Sequence, residues 1–404
     1  MSRSKLRVWR KPLTCASSPF RSAFLAAWIT FAAVTLRSEP PTSTNDSPKF
    51  LGATSCASSG CHGGGGQNQN QFHVWSLKDF HSQRPFATLT TARSKQIGDA
   101  LGIKEPTGDS RCTSCHAPLA NVPAARRGET FKVSEGVSCE SCHGPAENWL
   151  RSHTRSDWRH ADRTAAGLRD LKSLYVRANT CVACHQTVDS PLLKAGHPEL
   201  TFELDGQSAS QPRHWREKGN TNGARAWLVG QAAALREMSW QLSREREPDS
   251  RLAARWSALL WLLQRMDGLS PTLPKLDGIS DEPAEGNFES AIKAADEFAR
   301  RAGEMTWTRD MSRAALRALV GAESTFRQTS TSVLQQARRA ERLVLGLDRL
   351  LQEGKSQAPE NVERKLDELF KQVQSLPDFD PAAFAQALTR LNQLLSSNDS
   401  RPDH

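Results

Sequence analysis

The sequence is poor in the features that mark several common protein classes. Hydrophobic residues make up only 38% of its 404 positions and the mean hydropathy is −0.56, so a polytopic membrane protein is excluded. It has no Gly-rich phosphate loop, nucleophile elbow, HExxH motif or compelling carboxylate pair, so the usual signatures of separate catalysis are missing. No cysteine follows Cys184, and after His214 the one histidine is His404. Excess charge is confined as well. The formal net charge is +9, but residues 1–37 hold seven basic residues (Arg3, Lys5, Arg7, Arg10, Lys11, Arg21 and Arg37) and no acid, leaving +2 for the rest. A nucleic-acid partner therefore loses its electrostatic support.

What is present begins with a basic stretch, Met1–Lys11, and an apolar run of 14 residues, Ala23–Leu36. That length suits a signal-peptide core and is short for a membrane span. Residues 1–37 accordingly read as a signal peptide or N-terminal anchor, and the chain as exported and periplasmic. No small-x-small triplet closes the run, so cleavage and attachment to the membrane through this segment both stay open. Cys15 precedes the run and does not look like a lipidation site. Residues 38–49, with Pro40, Pro41 and Pro48 among Ser and Thr, read as a linker.

The remaining eight cysteines form four pairs, each followed at once by histidine. Three are Cys112-Thr-Ser-Cys115-His116, Cys139-Glu-Ser-Cys142-His143 and Cys181-Val-Ala-Cys184-His185; a longer one is Cys56-Ala-Ser-Ser-Gly-Cys61-His62. C-x-x-C-H is the signature of c-type haem attachment: two thiols add to the vinyl groups and the adjacent imidazole reaches the iron. Zinc ribbons also use C-x-x-C pairs, and exported proteins pair thiols as disulfides, but neither explains the four histidines. The expected cofactors are four covalently bound c-type haems, with His62, His116, His143 and His185 as proximal iron ligands. Residues 50–224 read as the tetrahaem cytochrome c domain.

Seven histidines remain, and six of them (His73, His81, His153, His160, His197 and His214) lie in the haem-bearing stretch. They permit all four irons to be saturated without requiring it. Two histidines per iron suit electron transfer, whereas an open position lets iron bind a substrate.

Several stretches resemble the multihaem cytochromes c of the cytochrome c-554 type, including exported cytochromes of planctomycete-like bacteria. They are Phe50–Cys56 through Cys61-His-Gly-Gly, Trp75–Ala87, Gly136–Pro145 and Ala195–Glu203, and the likeness covers roughly residues 48–235. The resemblance implies a haem-dominated, mostly helical domain with little regular sheet, in which distal histidines come from segments remote from their haem. By that similarity His81, His153 and His197 look like distal ligands. His73, His160 and His214 compete for the fourth position, and vacancy is an alternative. Similar chains also carry a further haem motif after an Ala-Trp-Leu-x-Gly-Gln segment; here Ala226–Gln231 is such a segment, but no cysteine follows it.

Residues 225–404 read as a cofactor-free, bundle-like helical domain. Val333, Ala337, Ala340, Val344, Leu347 and Leu351 recur at 4-3-4-3-4 spacing, and Val362, Leu366, Leu369 and Val373 repeat the pattern. Gly354 reads as the stop of the first helix, Pro377 and Pro381 as the break before a last one over Pro381–Leu395, and residues 270–290 as a dividing loop. Trp227, Trp240, Trp256, Trp261 and Trp307 sit in windows that also read as helical.

The fold class expected is mainly α. The function expected is electron transfer by an exported tetrahaem cytochrome between redox partner proteins or with a quinol-linked membrane complex. The alternative is a multihaem oxidoreductase acting on a small nitrogen or sulfur oxyanion at one five-coordinate haem. A third reading makes the helical half a docking module.

Overall fold

In the haem-motif half, helices are short because Gly, Pro and turn residues interrupt the apolar periodicity every few positions. A computed structural model describes residues 47–66, 69–216, 223–245, 249–353, 360–374 and 378–399. The leader, linker residues 38–46, Gly354, Pro377 and His404 lie outside the described residues. The short helices are α1 (Gln71–Lys78), α2 (Arg84–Thr88), α3 (Ala92–Ala100), α4 (Ser110–His116), α5 (Cys139–His143), α6 (His160–Ala165), α7 (Leu174–His185), α8 (Ser190–Lys194) and α9 (Leu204–Ser210). The chain is mainly α: among the described residues there is no sheet, only isolated bridges of Phe50 with Arg127 and Ser82 with Gly136.

The second half has longer helices: α10 (Gly223–Leu242), α11 (Ser250–Met266), α12 (Glu285–Glu304), α13 (Arg309–Val320), α14 (Val333–Gln352), α15 (Glu360–Gln374) and α16 (Pro381–Asp399). The apolar stripes are their buried faces. Ala337, Ala340, Val344 and Leu347 are buried in α14, and Val362, Leu366 and Leu369 in α15. Val333 is exposed because it opens its helix, where Ser332 caps the Gln335 N–H and the core has not begun. Asp380 caps α16 by accepting from the Ala382 and Ala383 N–H groups, with Pro381 at the first helical position.

Two expectations need correction. The dividing loop is shorter than residues 270–290, since α12 begins at Glu285; Phe288, Ala291, Ala295, Phe298 and Ala302 give it a helical apolar face that overrides Gly286. Trp307 lies outside a helix, in the segment between α12 and α13, with its Nε1–H on Ser312 Oγ; Trp240 lies in α10 as expected, exposed under the Arg244 guanidinium. Trp227, Trp256 and Trp261 are core residues.

One apolar core runs from Ala178 and Val182 on α7, through Phe202 and Leu204, to Leu391 on α16. The helix bearing the last attachment motif thus shares its packing with the cofactor-free helices.

Candidate functional site

Three attachment motifs ride on helices. Asp109 caps α4 through the Arg111 N–H, Ser138 and Ser141 cap α5 reciprocally, and Ser173 accepts from Val176 to start α7. Cysteines three apart then share a face, with histidine on the next position round. The longer first motif follows a 3₁₀ turn, Ala53–Cys56, and closes as a loop through His62 N–H to Cys56 O, at 3.2 Å.

The motifs lie next to one another in a fixed order. The Cys56 and Cys139 thiols lie close enough to perturb one another, and Cys115 Sγ reaches Ala183 O while Cys184 Sγ reaches Ser114 O, each at 3.9 Å. Cys142 lies within electrostatic reach of Cys181 and Cys184. The first motif therefore adjoins the third, the third the fourth, and the fourth the second. Burial pushes Cys142 up to about 11 and Cys181 up to about 12, while the Cys184 thiol holds Cys115 down at about 7.

Histidines from remote segments face three of the motif histidines. Ring centroids are 6.1 Å apart for His62 and His153, 5.9 Å for His81 and His185, and 6.5 Å for His116 and His197. Two metal–imidazole bonds of about 2 Å, plus about 1.2 Å from each centroid to its Nε2, put rings about 6.4 Å apart across one metal. The spacing fits an iron between each pair.

The outer nitrogens agree. Nδ1 of His62 faces Gln71 Oε1 at 3.0 Å, that of His81 faces Asp79 Oδ1 at 2.9 Å, and that of His116 faces Pro85 O at 2.9 Å. His153 Nδ1 lies 2.7 Å from Leu150 O, and His197 Nδ1 2.9 Å from Pro198 O. His185 Nδ1 lies 3.3 Å from the Gln207 amide, whose Oε1 is buried without a partner; the turned amide would accept from it. An Nδ1–H donating to the protein fixes the tautomer that leaves Nε2 as the metal ligand. His73 and His160 do the reverse, committing Nε2 to Gly63 O at 2.8 Å and to Asp170 Oδ2 at 3.1 Å.

His143 differs. Among the described residues no ring stands against it at the spacing of the other pairs. Burial first, and then neighbouring positive charges of which His214 is the strongest, bring its pKa down to about 4. Burial also lowers His214, against the opposing pull of the Asp79 carboxylate and the Pro212 carbonyl. His214 is thus the candidate from the open set that sits beside a motif histidine.

Backbone features hold these groups. Gly136, at φ +71°, brings the chain onto the segment bearing His81: Val137 N–H donates to His81 O at 3.0 Å, and a Cβ at Gly136 would meet that oxygen at 3.0 Å. Gly144, at φ +85°, ends α5 directly after His143, with Gly167 O filling the place of a Cβ.

Beside the motif and facing histidines, some buried polar atoms have no protein partner: Ser82 Oγ, Trp149 Nε1 and both amide atoms of Gln186. A flat cofactor with polar edges, as haem has in its propionates, would partner such atoms, so the residues present fit haem. The outer partners Gln71, Asp79 and Gln207 carry no motif and were not legible in the sequence. The one local signal was Asp79 two residues before His81, the spacing of an Asx turn, in which Asp79 Oδ1 also takes the His81 N–H at 3.0 Å.

Residues 55–144 match the family model for cytochrome c554 and c-prime. The match takes in the first three attachment motifs, with His62, His73, His81, His116 and His143. It stops short of Cys181–His185 and of His153, His197 and His214. No curated protein and no solved structure matches the chain.

Proposed function

From a cytochrome c554-family segment that carries covalently bound c-type haem, we propose an exported tetrahaem cytochrome that passes electrons between redox partner proteins, or from a quinol-linked membrane complex. The thioether cysteines would be Cys56 with Cys61, Cys112 with Cys115, Cys139 with Cys142, and Cys181 with Cys184. The axial pairs would be His62 with His153, His116 with His197, His185 with His81, and His143 with His214. Haem bound there supplies a one-electron iron couple held by two imidazoles, which rearranges little as its charge changes.

The observation that carries the reading is the facing of three histidine pairs at about one metal's span with every Nδ1 turned to a protein group. Gln71, Asp79 and Gln207 hold ring orientation from outside, and the adjoining motifs keep successive cofactors within short reach. Leader residues 1–37 would direct export or anchor the chain.

EPR of the oxidised, fully loaded protein tests this, with integrated spins set against a pyridine haemochrome count. Imidazole planes split the iron's near-degenerate orbitals when parallel and leave them nearly degenerate when crossed. The His62–His153 rings meet at 23°, and the other two pairs at 79° and 80°. One ordinary rhombic low-spin signal and two highly anisotropic ones are expected from these pairs. Low-spin iron with no such mixture would overturn the pairing.

The different setting of His143 favours a second reading at that site alone: an oxidoreductase in which the iron opposite His143 is open to a small nitrogen or sulfur oxyanion. High-spin iron equal to one haem per chain, with turnover of nitrite or hydroxylamine, would establish it in place of the carrier.

A further inference from the structure

The cofactor-free half places three arginines on one face of α14. At 100° per residue, Arg342 and Arg349 lie within about 40° of Arg338. Each meets an acid of one short segment: Arg338 with Glu199 at 2.5 Å, Arg342 with Glu203 at 2.8 Å, and Arg349 with Asp205. The rungs run in the same order along helix and segment. Arg342 is buried, and its Nη1 also reaches Gln231 Oε1 at 3.0 Å, while Gln231 Nε2 donates to Glu203 Oε2 at 3.0 Å. Arg255 of α11, itself buried, donates to Leu200 O.

The Ala226–Gln231 segment, which in similar chains precedes a further haem motif, has its work here. Gly230 lets Leu204 come so close that a Cβ would stand 2.8 Å from the Leu204 Cβ, and Gln231 joins the Arg342–Glu203 pair. Phe202 and Leu204 are wholly buried between the rungs. The segment is therefore pinned by charge and by packing along its length.

Its two ends stand at different motif histidines. His197 stands two residues before Glu199 and faces His116; Gln207 stands two residues after Asp205 and holds His185 Nδ1. We infer that the arginine face of α14 is a positioning device: Arg338, Arg342 and Arg349, with Gln231, fix the segment from His197 to Gln207 and so set the axial imidazoles of two haems, those at His116 and His185. The inference rests on the ligation proposed above for His197 and His185. It gives the helical half a role inside the electron-transfer site. Arginine suits that role because its planar fork holds direction as well as charge.

The test uses the full-length holoprotein carrying Arg342→Gln. The covalent haem count stays unchanged, since no thiol is altered. The EPR spectrum gains a high-spin or displaced signal equal to about one haem per chain, because a loosened His197 no longer holds the sixth position. Arg342→Lys, which keeps charge without the fork, restores most of the low-spin signal. Arg339→Gln is the control: Arg339 is equally buried on α14 but pairs with Asp281 instead, so its loss lowers the melting temperature and leaves the spectrum alone. An unchanged spectrum in Arg342→Gln, or the same change in Arg339→Gln, overturns the proposal. If Arg342→Gln does not fold, Arg338→Gln is read in the same way. His197→Ala separates the two readings. Iron that stays wholly low-spin without His197 removes the ligation itself, whereas a high-spin haem in His197→Ala with none in Arg342→Gln removes only the positioning role.

Discussion

Asp79 and His81 form a carboxylate–imidazole pair: Oδ1 takes the ring Nδ1 at 2.9 Å and the His81 N–H at 3.0 Å, while Oδ2 takes Gln211 Nε2 at 2.8 Å. Asp79 is buried, and its hydrogen bonds outweigh burial to hold its carboxyl below the usual range. A carboxylate on Nδ1–H makes the imidazole a stronger donor and favours ferric iron. The other paired histidines face neutral carbonyl or amide groups, so the His81–His185 haem is expected to have the lowest potential of the three. Asp79→Asn keeps the shape and removes the charge. Since a hydrogen bond to a charged group is worth about 1.5–3 kcal/mol, part of which differs between oxidation states, that haem's potential should rise by on the order of 50 mV. Potentiometric titration checks it; a fall would reverse the argument.

The three histidines in contention for the fourth distal place should separate by mutation. His73 and His160 have Nε2 committed to Gly63 O and Asp170, so His73→Ala and His160→Ala should leave every haem spectrum as it was. His214→Ala should convert the haem at His143 to high-spin, read as an EPR signal of about one spin-equivalent haem per chain. A spectral change on losing His73 or His160 would show that the Nε2 contacts give way when haem is bound.

How much of this was legible in the sequence depends on the kind of signal. The motif histidines were, because covalent chemistry imposes a fixed local spacing on them. The stripes of α14 and α15 were, because burial imposes a period. His81, His153 and His197 were named by family likeness alone; nothing in composition said which proximal histidine each would face. That pairing is long-range, as His153 meets His62 across 91 positions. The outer partners escaped because half of them are backbone carbonyls, which have no sequence signature. Arg338, Arg342 and Arg349 escaped because charged residues on an amphipathic helix read as a solvated face, yet here acids from another segment draw them in.

Glu140 shows that a variable position of an attachment motif can carry structural work. It lies between Cys139 and Cys142, is buried, and accepts from Leu51 N–H at 2.9 Å, Gly52 N–H at 2.7 Å and Ala146 N–H at 2.7 Å. The carboxylate joins the Leu51–Gly52 segment to α5. Glu140→Gln replaces one acceptor oxygen with an NH₂ group facing a backbone donor. An unmet buried donor together with a lost charged hydrogen bond should cost about 2–3 kcal/mol. Thermal unfolding followed by circular dichroism should show a lower Tm with the haem count unchanged; a Tm equal to that of the parent would mean the cradle contributes nothing net.

Gly230→Ala tests the packing half of the device on α14 without touching a charge. The new methyl would stand 2.8 Å from the Leu204 Cβ and 3.2 Å from its N, and a helical alanine would otherwise be favoured over glycine by about 1 kcal/mol. Overpacking a closed core costs about 1–3 kcal/mol, so steric displacement should exceed the propensity gain. The backbone of Leu204 lies between Glu203 and Asp205, and its shift should lengthen the Arg342 and Arg349 pairs together. The expected outcome is a lower Tm accompanied by broadening of the EPR signal assigned to the His116–His197 haem. A higher Tm with an unchanged spectrum would mean that Leu204 yields freely, and that the segment is held by its ion pairs rather than by its seat on α10.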